Sequence, residues 1–116
     1  MKAIIYHNNR CAKSREAIVY LKNLNLELEI IEYLNSPLSY SELDNLIQLL
    51  HVSPIDIIRK NENDWKLNFA MNELQDEELI YAILEYPKLM QRPIVIIGDK
   101  GIIARPISLI DNLLKD

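Results

Sequence analysis

AIIYHNNRCAKSREAIVYLKNL, residues 3 to 24, decides the fold. Ala3-Ile4-Ile5-Tyr6 is a short apolar run that stops at the polar segment His7 to Arg10, as a buried strand running into a loop does. From Ser14 onward Ala17, Ile18, Leu21 and Leu24 recur at helical spacing, with Glu16 expected in the first turn, where an acid complements the helix dipole. Glu27 to Leu34 then partly alternates charged and apolar residues and is expected to be a second strand. Strand, helix, strand in this order favours a parallel pair joined by a right-handed crossover.

Working outward, Asn35-Ser36-Pro37 breaks the second strand. Ser39 followed by Glu42 has capping-box spacing ahead of Leu43, Leu46, Ile47 and Leu50, which predicts a helix. Ser53-Pro54 reads as an N-cap with proline in the first helical position, opening a short helix through Ile58. Residues 61 to 72 are expected to be irregular, tacked to the core by Trp65, Leu67 and Phe69. Leu79, Ile80, Ile83 and Leu84 mark a further helix that Pro87 ends. Ile94 to Ile97 and Ile102 to Ala104 are strands flanking a turn at Gly98-Asp99-Lys100-Gly101. Ile107, Ile110, Leu113 and Leu114 predict a closing helix. The result is an α/β chain in the order β-α-β, helices, β-β-α, that of a thioredoxin-like fold with a mixed sheet and a helical insertion. A single domain spans residues 1–116, with the core formed from about 1–34 and 88–116 and the insertion from about 38–87.

Composition limits the chemistry. The chain has 116 residues, enough for a core without disulfide or metal staples, and its one cysteine cannot form an internal disulfide. With neither a signal-peptide pattern nor an apolar run near the roughly 20 residues of a membrane span, a reducing cytoplasm is the expected compartment, and no membrane partner is expected. Residues 1 to 15 carry four bases and no acid, whereas the remainder carries nine bases against seventeen acids. That acidic body argues against nucleic-acid binding and leaves room for a small anion site near the basic head. Cys11 and two distant histidines, His7 and His51, supply too few closely spaced ligands for zinc, so no metal is expected.

Cys11 falls where the first helix begins. Unpaired N–H groups and the positive end of the helix dipole stabilise a thiolate there, and Arg10, Lys13 and Arg15 add positive charge. A buried small hydrophobe is the alternative role for a lone cysteine; polar and cationic neighbours on both sides favour a reactive thiol. Cys11-Ala12-Lys13-Ser14 has serine where a dithiol enzyme carries its resolving cysteine, so an oxidised or adducted Cys11 needs an outside thiol. Ser14 either hydrogen-bonds the thiolate or a bound oxyanion, or caps the helix; His7 either tunes Cys11 or is a structural hydrogen-bonder.

His7-Asn8-Asn9-Arg10-Cys11-Ala12-Lys13-Ser14-Arg15 resembles the HNPxCxxSR loop of the ArsC family, thioredoxin-fold arsenate reductases that use glutathione and glutaredoxin. The resemblance continues through Tyr33-Leu34, Pro37, Glu42-Leu43, Ile58-Arg59-Lys60, residues 87–90, Arg92-Pro93-Ile94-Val95 and Arg105-Pro106. It implies an oxidoreductase active in arsenical resistance, with Cys11 as nucleophile and His7 and Ser14 supporting its thiolate. It implies an oxyanion clamp from Arg59, Arg92 and Arg105, since guanidinium groups fork onto tetrahedral oxyanions. No bound cofactor is implied; glutathione is the co-substrate and glutaredoxin the reducing partner. Pro93, just before the third strand, is the implied cis-proline. Asn9 stands where the family pattern has proline, which removes a fixed φ and predicts a more mobile loop before substrate binds. Two alternatives share the resemblance: an ArsC-like thiol reductase with another substrate, and a Spx-like regulator that binds RNA polymerase. Spx-type switches carry Cys-x-x-Cys, which this chain lacks.

Overall fold

A computed structural model describes residues 1–115. The chain divides into two compact units, one made of residues 1–36 together with 92 onward, the other of residues 37–91. Among the described residues no helix is long and apolar enough to cross a membrane.

The first unit is built on a four-stranded mixed sheet. Strands β1 (Lys2–Tyr6) and β2 (Glu27–Ile31) are parallel, in register from Lys2 opposite Glu27 to Tyr6 opposite Ile31, and the helix α1 (Ala12–Asn23) makes the crossover. β3 (Ile94–Ile97) pairs antiparallel with β1, and β4 (Lys100–Ile103) antiparallel with β3, giving the order β2-β1-β3-β4. One core gathers Ala3 and Ile5 of β1, Ala17 and Leu21 of α1, Val95 and Ile97 of β3, Ala104, and Ile110 and Leu113 of the closing segment. The two-residue period of the strands and the helical period of α1 place these side chains on facing surfaces. This is a thioredoxin-like fold.

Four details of this unit differ from the sequence expectation. With Cys11 as N-cap, as expected, and Ala12 as the first helical residue, the first turn of α1 contains no acid, and Glu16 lies beyond it. β2 ends at Ile31 because the chain turns at Glu32, whose carbonyl accepts from Asn35 N (2.9 Å) and Ser36 N (2.8 Å). The β3–β4 turn is two residues, not four: Gly98 at φ 64 takes a backbone conformation open to glycine, so Lys100 and Gly101 already pair with Ile97 and Ile96. The closing segment Ile107–Leu114 is a 3₁₀ helix.

In the second unit the helix α2 (Tyr40–Leu50) has the expected capping box, Glu42 N donating to Ser39 Oγ at 3.1 Å and Ser39 N to Glu42 Oε1 at 3.0 Å. Leu43, Leu46, Ile47 and Leu50 are its buried face, and His51 closes it in the left-handed region, φ 57. Pro54–Ile57 is a 3₁₀ turn, with Ser53 N donating to Asp56 Oδ2 at 2.9 Å. The stretch expected to be irregular contains a short helix, α3 (Asn63–Asn68). Trp65 is buried in it, but Leu67 is 82% exposed and fastens nothing: a two-turn helix has one inward face, and Leu67 is not on it. The helix α4 (Asp76–Glu85) buries Leu79, Ile80, Ala82 and Ile83 and stops ahead of Pro87. Gln91 N donates to Ile57 O (2.8 Å) and Arg59 N to Leu89 O (2.7 Å) within this unit.

Candidate active site

The loop between β1 and α1 carries an ordered set of hydrogen bonds. Asn8 is its pivot: its carbonyl accepts from Cys11 N (3.0 Å), its side-chain oxygen from Arg10 N (2.9 Å), and its own N–H donates to Ser14 Oγ (3.1 Å). His7 is held at the end of β1 by its N–H donating to Ile31 O (2.8 Å). Its ring is buried, with Nδ1 2.6 Å from Ser14 Oγ and Nε2 2.6 Å from Asn9 Oδ1. Ser14 therefore does not cap the helix; fully buried, its hydroxyl joins α1 to the loop and to His7. Asn9 is engaged on three sides. Its carbonyl accepts from Arg15 Nη1 (2.7 Å), its amide oxygen faces His7, and its amide N–H donates to a Glu32 carboxylate oxygen. The mobility expected from the loss of proline is countered by these contacts.

Cys11 occupies the N-cap position of α1, where Ser, Thr, Asp or Asn is usual. Its side chain makes no strict capping hydrogen bond, yet the groups around it act on the sulfur. Burial opposes ionisation; the Ser14 N–H, the charge and hydrogen bond of the Arg92 guanidinium, and the Lys13 N–H outweigh it, so the thiol sits below its ordinary 9.0. The physical reason is the open end of the helix: its first N–H groups have no carbonyl to bind and favour an anion.

Arg92 comes from the far end of the chain, immediately before β3, which lies against β1. The Arg92–Pro93 peptide is cis, and so is Arg105–Pro106. While its guanidinium bears on Cys11, its Nε and Nη1 are buried with no hydrogen-bond partner among the described residues. Unpaired guanidinium donors out of water cost several kcal/mol unless an acceptor arrives, and a bound oxyanion would supply one.

The structure thus brings Cys11 together with Arg92, and His7 together with Ser14. Arg105 is an exposed residue after β4 in the same unit. Arg59 belongs to the second unit, where its Nη1 pairs with Glu62 at 2.7 Å and donates to Lys88 O at 3.4 Å. Arg10 and Lys13 are exposed, and Lys13 reaches Glu16 at 3.9 Å. Glu32 carries no signal in the sequence, and Asn9 is marked there only as the missing proline, not as a hydrogen-bond partner. The amide where the pattern has proline and the acid closing the neighbouring strand acquire meaning only with the β1–β2 register. No cluster of three metal-ligating side chains occurs among the described residues.

Fold and loop together define a thioredoxin-like protein with a single cysteine at the start of its first helix. Residues 6–112 match the ArsC family, and the chain belongs to it. YfgD, an uncharacterised protein of Escherichia coli K12, is 42% identical over 104 residues, 88% of this chain and 87% of its own. An arsenate reductase of Haemophilus influenzae is 37% identical over 116 residues, 98% of this chain and the whole of its own. The solved arsenate reductase of Vibrio cholerae superposes with a TM-score of 0.91 at 35% identity, covering 97% of this chain and 98% of that one.

Proposed function

We propose that this protein is an oxidoreductase that reduces arsenate through Cys11, with glutathione and glutaredoxin supplying the electrons. The observation that carries the reading is the juxtaposition of a thiol held below its ordinary pKa with a guanidinium whose buried donors lack acceptors. A nucleophile and an oxyanion clamp are what attack on a tetrahedral oxyanion requires. The relatives named arsenate reductase select arsenate as the first oxyanion to test.

The Cys11 thiolate attacks arsenic, a hydroxyl leaves as water, and a covalent cysteine–arsenic adduct forms. Glutathione then attacks: its sulfur bonds to Cys11, the Cys11–arsenic bond breaks, and the electron pair stays on arsenic, which departs as arsenite. Two thiols have been oxidised to one mixed disulfide while As(V) has become As(III). Glutaredoxin clears that disulfide, because no second cysteine exists in the chain. Arg92 binds the oxyanion and favours the thiolate, and Arg105 of the same unit joins it in the clamp. His7 and Ser14 hold the loop that presents the thiol. No bound cofactor takes part.

Reduced protein mixed with arsenate, glutathione and glutaredoxin is expected to release arsenite, and Cys11→Ser to abolish that release. Absence of turnover with a protein whose Cys11 is titrated as free and reactive would refute the proposal.

A further inference from the structure

The hydrogen bonds around His7 carry a direction. An ionised carboxylate only accepts, so the Asn9 group bonded to Glu32 is its NH₂. The opposite side of that amide, Oδ1, then faces His7 Nε2 at 2.6 Å. An amide oxygen only accepts, so Nε2 carries a proton, and in a neutral imidazole Nδ1 does not. Nδ1 must therefore accept from the Ser14 hydroxyl at 2.6 Å, while the Ser14 oxygen accepts from Asn8 N at 3.1 Å. Every bond in the row points the same way, from Asn8 N–H through Ser14, His7 and Asn9 to Glu32. With His7 and Ser14 buried, water offers them no substitute.

We propose that Glu32 and Asn9 are positioning residues for the thiol loop: the Glu32 carboxylate orients the Asn9 amide, which fixes His7 as its Nε2–H tautomer and so sets the direction of the Ser14 hydroxyl. His7, Asn9 and Ser14 lie within or beside the loop, whereas Glu32 comes from the end of β2, 23 residues beyond Asn9. It acts as an outside anchor. Ser14 is the residue whose backbone N–H most favours the Cys11 thiolate, so its fixed position reaches the nucleophile. Arg15, gripping the Asn9 carbonyl at 2.7 Å, holds the same loop residue from the helix side. The inference rests on Cys11 being the reactive thiol of the proposed function, but its readout does not involve arsenate.

The test is ¹⁵N NMR of the His7 ring at pH 8, which separates the two neutral tautomers and the imidazolium, together with Cys11 alkylation rate against pH. The wild type is expected to show neutral Nε2–H. Asn9→Ala and Glu32→Ala are expected to populate both tautomers and to slow alkylation at neutral pH by roughly threefold to tenfold, the effect of about one net hydrogen bond. Glu32→Gln keeps an acceptor oxygen for the Asn9 amide and is expected to restore both readings. An Nδ1–H or imidazolium signal in the wild type overturns the proposal without any variant needing to fold. So does a wild-type tautomer and alkylation profile in folded Asn9→Ala. Lack of arsenate turnover beside an intact Nε2–H signal would instead count against the substrate alone.

Discussion

Ser14→Ala removes a hydroxyl that is fully buried and bonded twice. Its loss leaves His7 Nδ1 unpaired inside a ring that is 2% exposed, and a buried polar atom stripped of its partner costs about 1–3 kcal/mol. The Asn8 N–H is only half-buried and can recover part of its bond from water, which adds about 1 kcal/mol or less. Alanine returns about 0.5 kcal/mol because it is the better helix former at this position in α1. The expected net loss is about 0.5–3.5 kcal/mol, centred near 2, against the 5–15 kcal/mol typical of a domain. In urea, where small proteins lose about 1–3 kcal/mol per molar, a loss near 2 kcal/mol lowers the midpoint by about 0.7–2 M. A double-mutant cycle with His7→Phe separates the pair from simple loss of burial, with a coupling of about 0.5–3 kcal/mol expected for directly bonded side chains. A Ser14→Ala midpoint within about 0.2 M of the wild type, or full additivity with His7→Phe, would refute the reading of Ser14 as the bolt between α1 and the loop.

Further outcomes follow from the thiol's surroundings and from the helix caps. Arg92→Gln withdraws a positive charge and a donor from the sulfur, so the Cys11 alkylation profile should move to higher pH, while sulfate or arsenate loses its protection of the thiol. In the wild type that profile should have its midpoint below 9.0. Because the thiol is lowered in the folded state, its contribution to stability is complete above the unfolded value and is lost as pH falls through the folded one; urea midpoints measured across that window should rise with pH in the wild type and flatten in Cys11→Ser. Ser39→Ala opens the capping box of α2 and should cost about 1 kcal/mol, read as a lower thermal midpoint with unchanged Cys11 reactivity.

Much of the fold is written in short-range pattern. β1, α1, α2, α4 and β3 follow from apolar period, and the Ser39–Glu42 box and Pro87 bound their helices, because each signal lies within a turn or two of the backbone it controls. The order of elements then leaves few topologies. Where local pattern is thin it misleads: α3 is two turns long with Trp65 alone buried, too short for a period to show, and the partial alternation of Glu27 to Leu34 runs on past the turn at Glu32 that ends β2.

The candidate site divides along the same line. Sequence alone determined that one cysteine stands at a strand-to-helix junction among cations without a resolving partner, since a loop, a helix start and a count of cysteines are local facts. The resemblance pointed to the arginines, but only tertiary structure placed the Arg92 guanidinium against Cys11, 81 residues away in the chain, by laying β3 beside β1. Tertiary structure also made Ser14 a buried partner of His7 where a helix cap was equally legible, and joined Asn9 to Glu32 through the parallel β1–β2 register. The physical reason is that hydrogen-bond partners and charge proximity depend on distance in space. Pairing of strands sets that distance, and no residue window contains both strands at once.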